Sequence, residues 1–196
     1  MKTFIKSIRF TFVFCIFLAV SYVLVLWIFA RFAAPNKGNV AVSELNGRVV
    51  GATNVGQSFT RDIYFWGRPS CAGNGYDATK SGGSNKAPTN MAYLRQVDSR
   101  IVAFLKHHPY LSRKDVPAEM VTASGSGLDP DISPRSAYIQ VRRIAMARGC
   151  SEALVRSIVD KSVERPLLGI FGPQRVNVLK MNISLDELHI NKAEVK

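Results

Sequence analysis

The chain has 196 residues, a formal net charge of +12 and a hydrophobic fraction of 47%. Residues 1–31 hold four basic and no acidic side chains, so the remainder carries a net charge of +8. The basic residues are scattered and no recognition motif accompanies them, which argues against a nucleic-acid-binding protein and favours one that lies beside an anionic membrane surface.

A long uncharged run near the N-terminus predicts a membrane anchor. Phe10 to Ala30 comprises 21 residues without a charge, and a helix of that length spans roughly 32 Å, enough to cross a bilayer core. The alternative is a cleaved signal peptide, whose apolar core is usually about 7 to 15 residues. We expect an uncleaved transmembrane helix, with Trp27 near its outer end and Arg9 and Arg31 at its two membrane interfaces.

The charges that flank this run predict its orientation. Lys2, Lys6 and Arg9 precede it, whereas Arg31 and Lys37 follow it. Because basic residues concentrate on the cytoplasmic side of a span, we expect the N-terminus in the cytoplasm and the soluble part outside it. The predicted division is a cytoplasmic N-terminus, a transmembrane helix, a juxtamembrane connection, an extracytoplasmic soluble domain and a polar C-terminal tail, at residues 1–9, 10–30, 31–39, 40–186 and 187–196.

The soluble part begins with a predicted β-hairpin, which a long irregular stretch follows. Strands Val40–Leu45 and Arg48–Gly51 flank Asn46-Gly47, a pair that suits the type I′ turn of hairpins. Residues 56–88 show little periodicity and are rich in Gly, Ser and Asn. A segment of that length in a compact domain is typical of an ordered functional or interface loop.

Two of three predicted helices are defined by apolar stripes. The first is capped by Thr89 or Asn90 and ends near His107. Its stripe is expected in the core and comprises Leu94, Val97, Ile101 and Leu105. The last of the three follows Ser151, and its apolar face comprises Leu154, Val155, Ile158 and Val159.

The helix between them, Pro134 to Arg148, has the sharpest boundaries, with Ser133 as its N-cap and Gly149 at its end. Its apolar positions are expected to be buried, namely Tyr138, Val141 and Ala145. Several of its basic residues are expected to be exposed, from the set Arg135, Arg142, Arg143 and Arg148.

After a turn at residues 171–173, Arg175 to Ile183 predicts a strand. The fold class that follows is α+β: one N-terminal transmembrane helix, then a single mixed soluble domain with a β-hairpin, about three helices and a C-terminal strand.

Two loops rich in serine and glycine are the candidates for ligand binding. The first comprises Ser81, Gly82, Gly83, Ser84 and Asn85. The second lies within residues 122–134 and comprises Ser124, Gly125, Ser126, Gly127 and Asp129. The competing interpretation of the second loop is a structural turn that caps the following helix. Lys80 lacks the preceding glycine of a phosphate-binding P-loop, so these loops carry no nucleotide motif.

Catalytic and metal chemistry find little support in the sequence. A serine hydrolase that uses Ser126, Asp129 and either His107 or His108 is the competing hypothesis, but no Gly-x-Ser-x-Gly elbow is present. The histidines, which include His189, lack second ligands at metal-binding intervals and are expected at the surface. We therefore predict neither a catalytic residue nor a metal site.

Cysteines and aromatic residues leave alternatives open. Cys15 lies inside the predicted span, so Cys71 and Cys150 are the candidates for a disulfide in an oxidising compartment. Two buried free thiols are the alternative. The aromatic and basic run Tyr64–Pro69 is either a wedge of core aromatics or a surface that stacks on a ligand or partner.

Ordered blocks over nearly the whole chain resemble one family, the C subunit of the Kdp-type potassium-transporting ATPase of bacteria and archaea. They accompany the single N-terminal span and comprise residues 47–51 (GRVVG), 56–59 (GQSF), 64–70 (YFWGRPS), 81–85 (SGGSN), 88–90 (PTN), 121–130 (VTASGSGLDP), 132–134 (ISP), 140–141 (QV), 147–148 (AR) and 175–179 (RVNVL).

Two residues depart from the family pattern. Arg142 stands where a proline commonly follows Gln-Val, and Cys71 stands where alanine is usual. Arg142 restores a backbone N–H and is expected to remove a helix distortion, which affects any site that depends on Gln140. The usual alanine at position 71 counts against the disulfide.

The resemblance implies an accessory, non-catalytic subunit of a high-affinity potassium uptake pump in the cytoplasmic (inner) membrane of a prokaryote. The implied partners are a channel-like subunit that binds potassium, a P-type ATPase catalytic subunit and a very small hydrophobic subunit. The family's C subunit is described as needed for assembly and as raising the affinity of the catalytic subunit for ATP. Gln140 joins the two loops as a candidate nucleotide-binding residue on that basis.

The predicted topology conflicts with direct nucleotide binding, because ATP is cytoplasmic and residues 32–196 are expected outside. We therefore expect no cofactor on this chain itself, with ATP involved through the catalytic subunit, and a domain that caps the ion entrance. The alternative is a membrane-anchored extracytoplasmic ligand-binding or hydrolase domain that uses the Ser-Gly loops.

Overall fold

The computed structural model describes the backbone of residues 2–194 and the side chains of residues 2–188. The chain forms two compact units, Met1–Ala41 and Val42–Lys196. The predictions for the side chains of His189 and of the end of the C-terminal tail lie outside the described residues.

The first unit is one continuous helix of 32 residues, Lys2–Ala33, long and apolar enough to cross a membrane. It consists of α1 (Lys2–Phe17), a π-helical segment (Leu18–Tyr22) and α2 (Val23–Ala33). The helix is longer than the apolar run that predicts it, because charged residues at both ends continue the helical backbone. It ends where Pro35 forces Ala34 into an extended conformation, with φ −79° and ψ 151°.

The second unit opens with the predicted hairpin, which is confirmed. Strands β1 (Val42–Leu45) and β2 (Arg48–Ala52) pair antiparallel, with Leu45 opposite Arg48. Asn46 and Gly47 have φ of 53° and 73°, the two positive values that a type I′ turn requires.

Helix α3 (Met91–His107) is capped as predicted, since the Asn90 side chain accepts a hydrogen bond from the Tyr93 N–H. The expectation that its apolar stripe lies in the core is wrong. Leu94 is 42% exposed and the other stripe residues are only partly buried, whereas Phe104 is 5% exposed. The helix packs through the turn around Phe104, so a stripe along its whole length has no core to enter.

The predicted helix from Pro134 to Arg148 is interrupted, forming α4 (Pro134–Tyr138) and α5 (Val141–Arg148). The Tyr110 hydroxyl lies between the two groups that would close the helical ladder. It donates to the Ile139 carbonyl at 2.8 Å and accepts from the Arg143 N–H at 3.1 Å. A side chain inserted into the ladder breaks a helix without proline, so Arg142 does not remove the distortion.

The boundaries of this helix pair are confirmed. The Ser133 hydroxyl accepts from the Ser136 N–H at the start of α4, and Gly149 ends α5 in the left-handed conformation with φ 61°. Val141 and Ala145 are buried as predicted, whereas Tyr138 is only partly buried. Helix α6 (Glu152–Ser162) follows, with Ser151 as its N-cap. Val155, Ile158 and Val159 are buried on its predicted face, and Leu154 is partly buried.

The C-terminal strand is present but much shorter than predicted. Strand β5 (Arg175–Asn177) lies between β3 (Asp131–Ile132) and β4 (Val163–Glu164) in a three-stranded antiparallel sheet. Helix α7 (Val178–Glu194) then begins, because the Asn177 carboxamide accepts from the Lys180 N–H as an N-cap does. The stretch from Val178 to Ile183 is therefore helical, and the predicted tail begins inside the same helix.

The core lies where helices α5, α6 and α7 meet the three-stranded sheet. Its largest fully buried apolar side chains are Phe65, Ile144, Met181, Leu185, Val141, Val155, Val159 and Val176. Phe65 comes from the irregular segment and is 0% exposed, which ties that segment into the core. The predicted α+β class is confirmed.

Candidate functional site

Residues 62–66 begin in a turn, where the Tyr64 N–H donates to the Arg61 carbonyl at 3.2 Å, and they belong to no sheet, yet all five of their carbonyl groups accept hydrogen bonds. Two arginines of α5 bind the carbonyl oxygens of Asp62, Ile63 and Tyr64. Two carboxamides bind the backbone of the next two residues. Buried backbone groups must find partners, and here helix side chains take the place of a neighbouring strand.

Arg143 is the central cation of this arrangement and is 4% exposed. Its guanidinium donates to the carbonyls of Asp62 at 2.5 Å and Tyr64 at 3.0 Å, and it lies 4.1 Å from the centre of the Trp66 ring. Its Nε donates to the His108 Nε2 at 3.0 Å. A guanidinium can be buried away from water when its N–H groups are hydrogen-bonded and when an aromatic face stabilises its charge.

His108 is fully buried, so the expectation that it lies at the surface is wrong. Its Nδ1 lies 2.8 Å from the Phe104 carbonyl, so the neutral ring donates there and its Nε2 accepts from Arg143. Burial, with a smaller contribution from the nearby Arg143 charge, lowers the pKa of His108 to about 4. Burial also lowers the pKa of Arg143 to about 10.

Arg148 holds the same segment from the end of α5, with a side chain only 4% exposed. It donates to the carbonyls of Ile63 at 2.6 Å and Leu185 at 2.9 Å, and to the Asp186 carboxylate at 2.7 Å. The Tyr64 hydroxyl donates to the other oxygen of Asp186 at 2.9 Å. Arg143 and Arg148 are therefore internal, whereas Arg135 and Arg142 are exposed as predicted.

Gln140 and Asn182 complete the arrangement. The Gln140 carboxamide accepts from the Trp66 N–H at 2.8 Å and donates to the carbonyls of Trp66 and Ser136. Asn182 makes the matching pair with Phe65, at 2.7 and 3.0 Å. Gln140 is 0% exposed, so this candidate nucleotide-binding residue faces the protein's own backbone.

The structure brings the two Ser-Gly loops together. The Gly82 N–H and the Ser81 hydroxyl both donate to the Ser126 carbonyl, at 2.8 and 3.0 Å. The Ser70 hydroxyl donates to the Gly127 carbonyl at 2.6 Å. Residues 81–85 and 124–127, called the Ser-Gly junction from here on, therefore form one hydrogen-bonded surface.

Gly127 permits this contact. Its φ is +67°, and a Cβ atom there would lie 2.6 Å from the Gly82 carbonyl oxygen and 2.7 Å from the Ala72 nitrogen. Both neighbours are backbone atoms that cannot rotate away, so the two loops meet only with glycine at this position.

The members of the Ser-Gly junction differ in exposure. Ser81, Asn85, Gly125 and Ser126 are exposed, Gly82, Gly83 and Ser84 are partly buried, and Ser124 and Gly127 are buried. A cavity of about 450 Å³ lies beside the junction and is lined in part by Gly83, Ser84, Lys86 and Arg100. The junction thus offers serine hydroxyls and backbone groups with two cations nearby, which suits polar contacts.

The Asp129 carboxylate binds neighbouring structural groups and not the other members of the proposed triad. One carboxylate oxygen accepts from Arg68 at 3.1 Å, and the other accepts from the Asp131 N–H. His107 pairs with Asp62 at 2.8 Å, and the Ser126 hydroxyl accepts from the Leu128 N–H. The proposed hydrolase residues therefore make their hydrogen bonds with other groups, which argues against a triad.

The remaining predictions concern cysteines and aromatics. Cys15, Cys71 and Cys150 are free; Cys71 and Cys150 are partly buried, whereas the free-thiol alternative had them buried. In the run Tyr64–Pro69 only Phe65 is buried, and the other residues are partly buried. The internal Arg143 and Arg148 lie over the rings of Trp66 and Tyr64, and the exposed Arg61 lies 5.9 Å from the Tyr64 ring. Arg9, Trp27 and Arg31 all lie on the Lys2–Ala33 helix, and their position at the membrane interfaces stays a prediction.

Sequence reasoning missed the internal roles of His108, Arg143, Arg148 and Asn182. One signal was present for α5, because Gln140, Ile144 and Arg148 recur at four-residue spacing and share a face. A polar residue on the same helix face as a buried isoleucine indicates that it has a partner inside the protein. Here these partners lie about 80 residues earlier in the chain.

An apolar helix long enough to cross a membrane, followed by an α+β domain with internally bonded polar loops, gives the class of protein: a mixed domain behind one candidate membrane helix. The family described as K+-transporting ATPase, C chain (KdpC), matches residues 4–187. The potassium-transporting ATPase KdpC subunit of Phocaeicola vulgatus is 71% identical, over 95% of this chain and 99% of that protein.

More distant relatives carry the same name. The KdpC subunit of Bacteroides fragilis is 68% identical over 96% of this chain and 98% of its own length. That of Caldanaerobacter subterraneus is 43% identical over 93% of each chain. The chain belongs to the KdpC family of K+-transporting ATPase subunits, which confirms the resemblance: it is an accessory membrane subunit of a potassium transport complex.

Proposed function

We propose that this chain stabilises the assembled potassium pump by docking its domain on the partner subunits through the Ser-Gly junction and the exposed residues of the irregular segment 56–90. The observation that carries the proposal is the hydrogen bonding between the two loops. Serine hydroxyls and glycine backbone that are held in one place present polar groups to a partner without an ordering cost on binding.

The proposed partners are the channel-like potassium-binding subunit, the P-type ATPase catalytic subunit and the very small hydrophobic subunit. The N-terminal helix packs against their membrane helices, and the domain caps the ion entrance of the channel-like subunit. The chain itself is non-catalytic in this proposal. Any gain in the ATP affinity of the catalytic subunit is transmitted through the membrane subunits, because the domain lies on the opposite side from cytoplasmic ATP.

The orientation has its own test. Asn46 lies at the exposed tip of hairpin β1–β2, so Asn46→Cys places a thiol in solvent. In intact spheroplasts we expect a membrane-impermeant thiol reagent to label it well above the parent chain, which measures the reaction of the three native cysteines. Protection from outside, with labelling only after lysis, would contradict an extracytoplasmic domain in the inner membrane.

The assembly role is tested on the purified complex. We expect that omission of this chain lowers recovery of the complex and its potassium-stimulated ATPase activity. Full assembly and full activity without the chain would exclude the proposed role.

The docking surface is tested by adding bulk to it. A Cβ at exposed Gly125 meets nothing within 4 Å, and its φ is not positive, so Gly125→Trp leaves the fold intact. We expect it to weaken co-purification of the partner subunits. Ala147→Trp, on the exposed side of α5, is the matched control. If both variants assembled equally well, the Ser-Gly junction would not be the docking surface.

A further inference from the structure

The hairpin that connects β4 to β5 ends in a cluster of large apolar side chains that the domain does not bury. This apolar tip, residues 166–171, has Leu167, Leu168, Ile170 and Phe171 at exposures of 71, 81, 75 and 60%. Leu167 and Phe171 exchange both backbone hydrogen bonds at 3.0 Å. This single β-bridge closes the loop at residues 168–170, and the apolar side chains of the tip are exposed.

The tip has a three-residue loop where the first hairpin has a two-residue turn, but the first two loop residues have similar φ values in both. Leu168 and Gly169 have φ of 55° and 77°, close to the 53° and 73° of Asn46 and Gly47. Asparagine suits this left-handed position, whereas leucine is disfavoured there. Leucine at position 168 thus adds backbone strain and exposes a large hydrophobe. Neither serves the fold, which indicates a contact outside the domain.

Basic residues stand at the base of the tip. The eleven residues from Arg165 to Arg175 contain two arginines and no acidic side chain. Arg165 is exposed. The Arg175 Nε forms ion pairs with the carboxylates of Glu164 at 3.1 Å and Asp131 at 3.4 Å, so the charge of Arg175 is partly balanced. An apolar tip with cations behind it matches the order of a bilayer surface, where acyl chains lie beneath phosphate groups.

The chain also keeps a bilayer within reach. Helix α2 ends at Ala33 and β1 begins at Val42, so the eight residues between them span at most about 29 Å. A domain on so short a tether meets the membrane at a high effective concentration, and weak insertion suffices to hold it there. The tether acts before any partner subunit is present, which favours lipid as the occupant over a groove on another protein.

We propose that the apolar tip inserts into the interfacial region of the bilayer that holds the N-terminal helix, with Arg165 beside the lipid phosphates. The inference requires the helix to span a membrane, but it does not depend on which side the domain occupies or on the assembly role.

Site-directed spin labels on the full-length chain in lipid nanodiscs test this insertion. In a background with Cys15, Cys71 and Cys150 replaced by serine, Leu168→Cys and Asn46→Cys carry the label at matched turn positions of the two hairpins. Collision with oxygen reports lipid, and collision with a water-soluble nickel chelate reports water. We expect a several-fold higher oxygen-to-nickel ratio at position 168 than at position 46.

Other outcomes separate the occupants. A label at position 168 that is as accessible to nickel as the label at position 46 would overturn the proposal. So would protection that appears only when the other pump subunits are added, because it would show a protein groove. If insertion fails while the pump still requires this chain for assembly, only the lipid contact is lost and the proposed function stands.

A second variant separates insertion from charge attraction. Leu168→Asn restores the residue of the first hairpin, and we expect it to fold at least as well and to lower the oxygen-to-nickel ratio of a label at Ile170→Cys. Insertion in zwitterionic nanodiscs that increases with anionic lipid supports the arrangement with Arg165. A signal that requires anionic lipid and is unchanged by Leu168→Asn would show surface adsorption and overturn insertion.

Discussion

Residues 62–66 and the apolar tip at 166–171 are both short segments outside the helices and strands and are rich in large apolar side chains. The domain buries or partly buries those of the first segment and leaves those of the second exposed. Phe65 is 0% exposed, and side chains of α5, its N-cap Gln140 and α7 bind all five carbonyl oxygens of residues 62–66. At the tip, four large apolar side chains are 60–81% exposed. The first segment belongs to the fold, and the second is available for contact with something else.

An irregular segment is therefore not an interface merely because it lacks secondary structure. In the sequence, residues 62–66 resemble a motif that stacks on a partner. In the structure, Arg143 and Arg148 already bind their carbonyl oxygens and lie over their aromatic rings. What marks a contact surface is a side chain that the fold leaves unused, at some cost to stability. Changes to the first segment should therefore unfold the domain, whereas changes to the tip should not.

Arg143→Met should show the largest effect. It removes a buried guanidinium with four hydrogen bonds and leaves the carbonyls of Asp62 and Tyr64 without their donor, so we expect a loss of at least about 3 kcal/mol in the free energy of unfolding. Chemical denaturation followed by Trp66 fluorescence measures it. Arg142→Met, on the exposed neighbour, should change stability by less than about 0.5 kcal/mol. Equal effects at the two positions would remove the distinction drawn here.

Acidification tests the same network. Because the pKa of His108 falls from 6.5 to about 4 in the fold, the folded state resists protonation that the unfolded chain accepts. The contribution of neutral His108 to the free energy of unfolding is fully present above about pH 6.5. It is lost as the pH falls to about 4, which lowers the free energy of unfolding by about 3 kcal/mol in total.

His108→Gln, whose oxygen can still accept from Arg143, should flatten stability between those pH values. His107→Gln is the control, because His107 lies at the surface beside Asp62. A slope that survives His108→Gln would assign the acid sensitivity to other groups.

Gly127→Ala tests the junction between the two Ser-Gly loops. The left-handed φ and the two backbone clashes together should lower stability by about 2 kcal/mol or more. Gly149→Ala has a similar φ of +61° but meets nothing within 4 Å, so thermal unfolding should show only about 1 kcal/mol there. A loss no larger at position 127 would mean that the loops separate at little cost.

Ser133→Ala should have a smaller effect of about 1 kcal/mol through the lost N-cap. Ser133 also donates to the Glu119 carboxylate at 2.5 Å, so its loss should exceed that of Ser151→Ala, which caps α6 alone. Thermal melts of the two variants compare them directly. A neutral Ser133→Ala would place the start of α4 elsewhere.

The smallest effect is expected at the tip. Leu168→Asn should raise the free energy of unfolding by a few tenths of a kcal/mol, because asparagine adopts the left-handed conformation more readily. The reverse exchange, Asn46→Leu, should lower it by a similar amount. If Leu168→Asn destabilised the domain by more than about 1 kcal/mol, the tip would belong to the fold, like residues 62–66.

Local signals in the sequence predicted local structure well. Asn46-Gly47 fixes the first hairpin by its turn geometry, and Asn90, Ser133 and Ser151 cap the helices where expected. The predicted strand at residues 178–183 is wrong for a local reason as well. Its β-branched and apolar residues favour a strand, but Asn177 caps a helix that begins at Val178. The break between α4 and α5 was beyond prediction, since Tyr110 lies about 30 residues from the carbonyl it occupies.

The candidate site divides in the same way. The glycines and serines in the sequence identified the two loops. They did not predict that Gly82 contacts Ser126 or that Gln140 binds the backbone of Trp66. Those contacts join parts of the chain 44 and 74 residues apart, and composition carries no information on such pairs.

By itself, the sequence determined the anchor, the fold class, the turn types, the caps and, through its ordered blocks, the family. These depend on hydrophobic length and backbone preferences that neighbouring residues set. Only the tertiary structure decided which arginines are internal, which histidine is buried and which apolar segment stays outside. Burial is a property of the assembled core, because a charged side chain enters it only where distant backbone groups supply its hydrogen bonds.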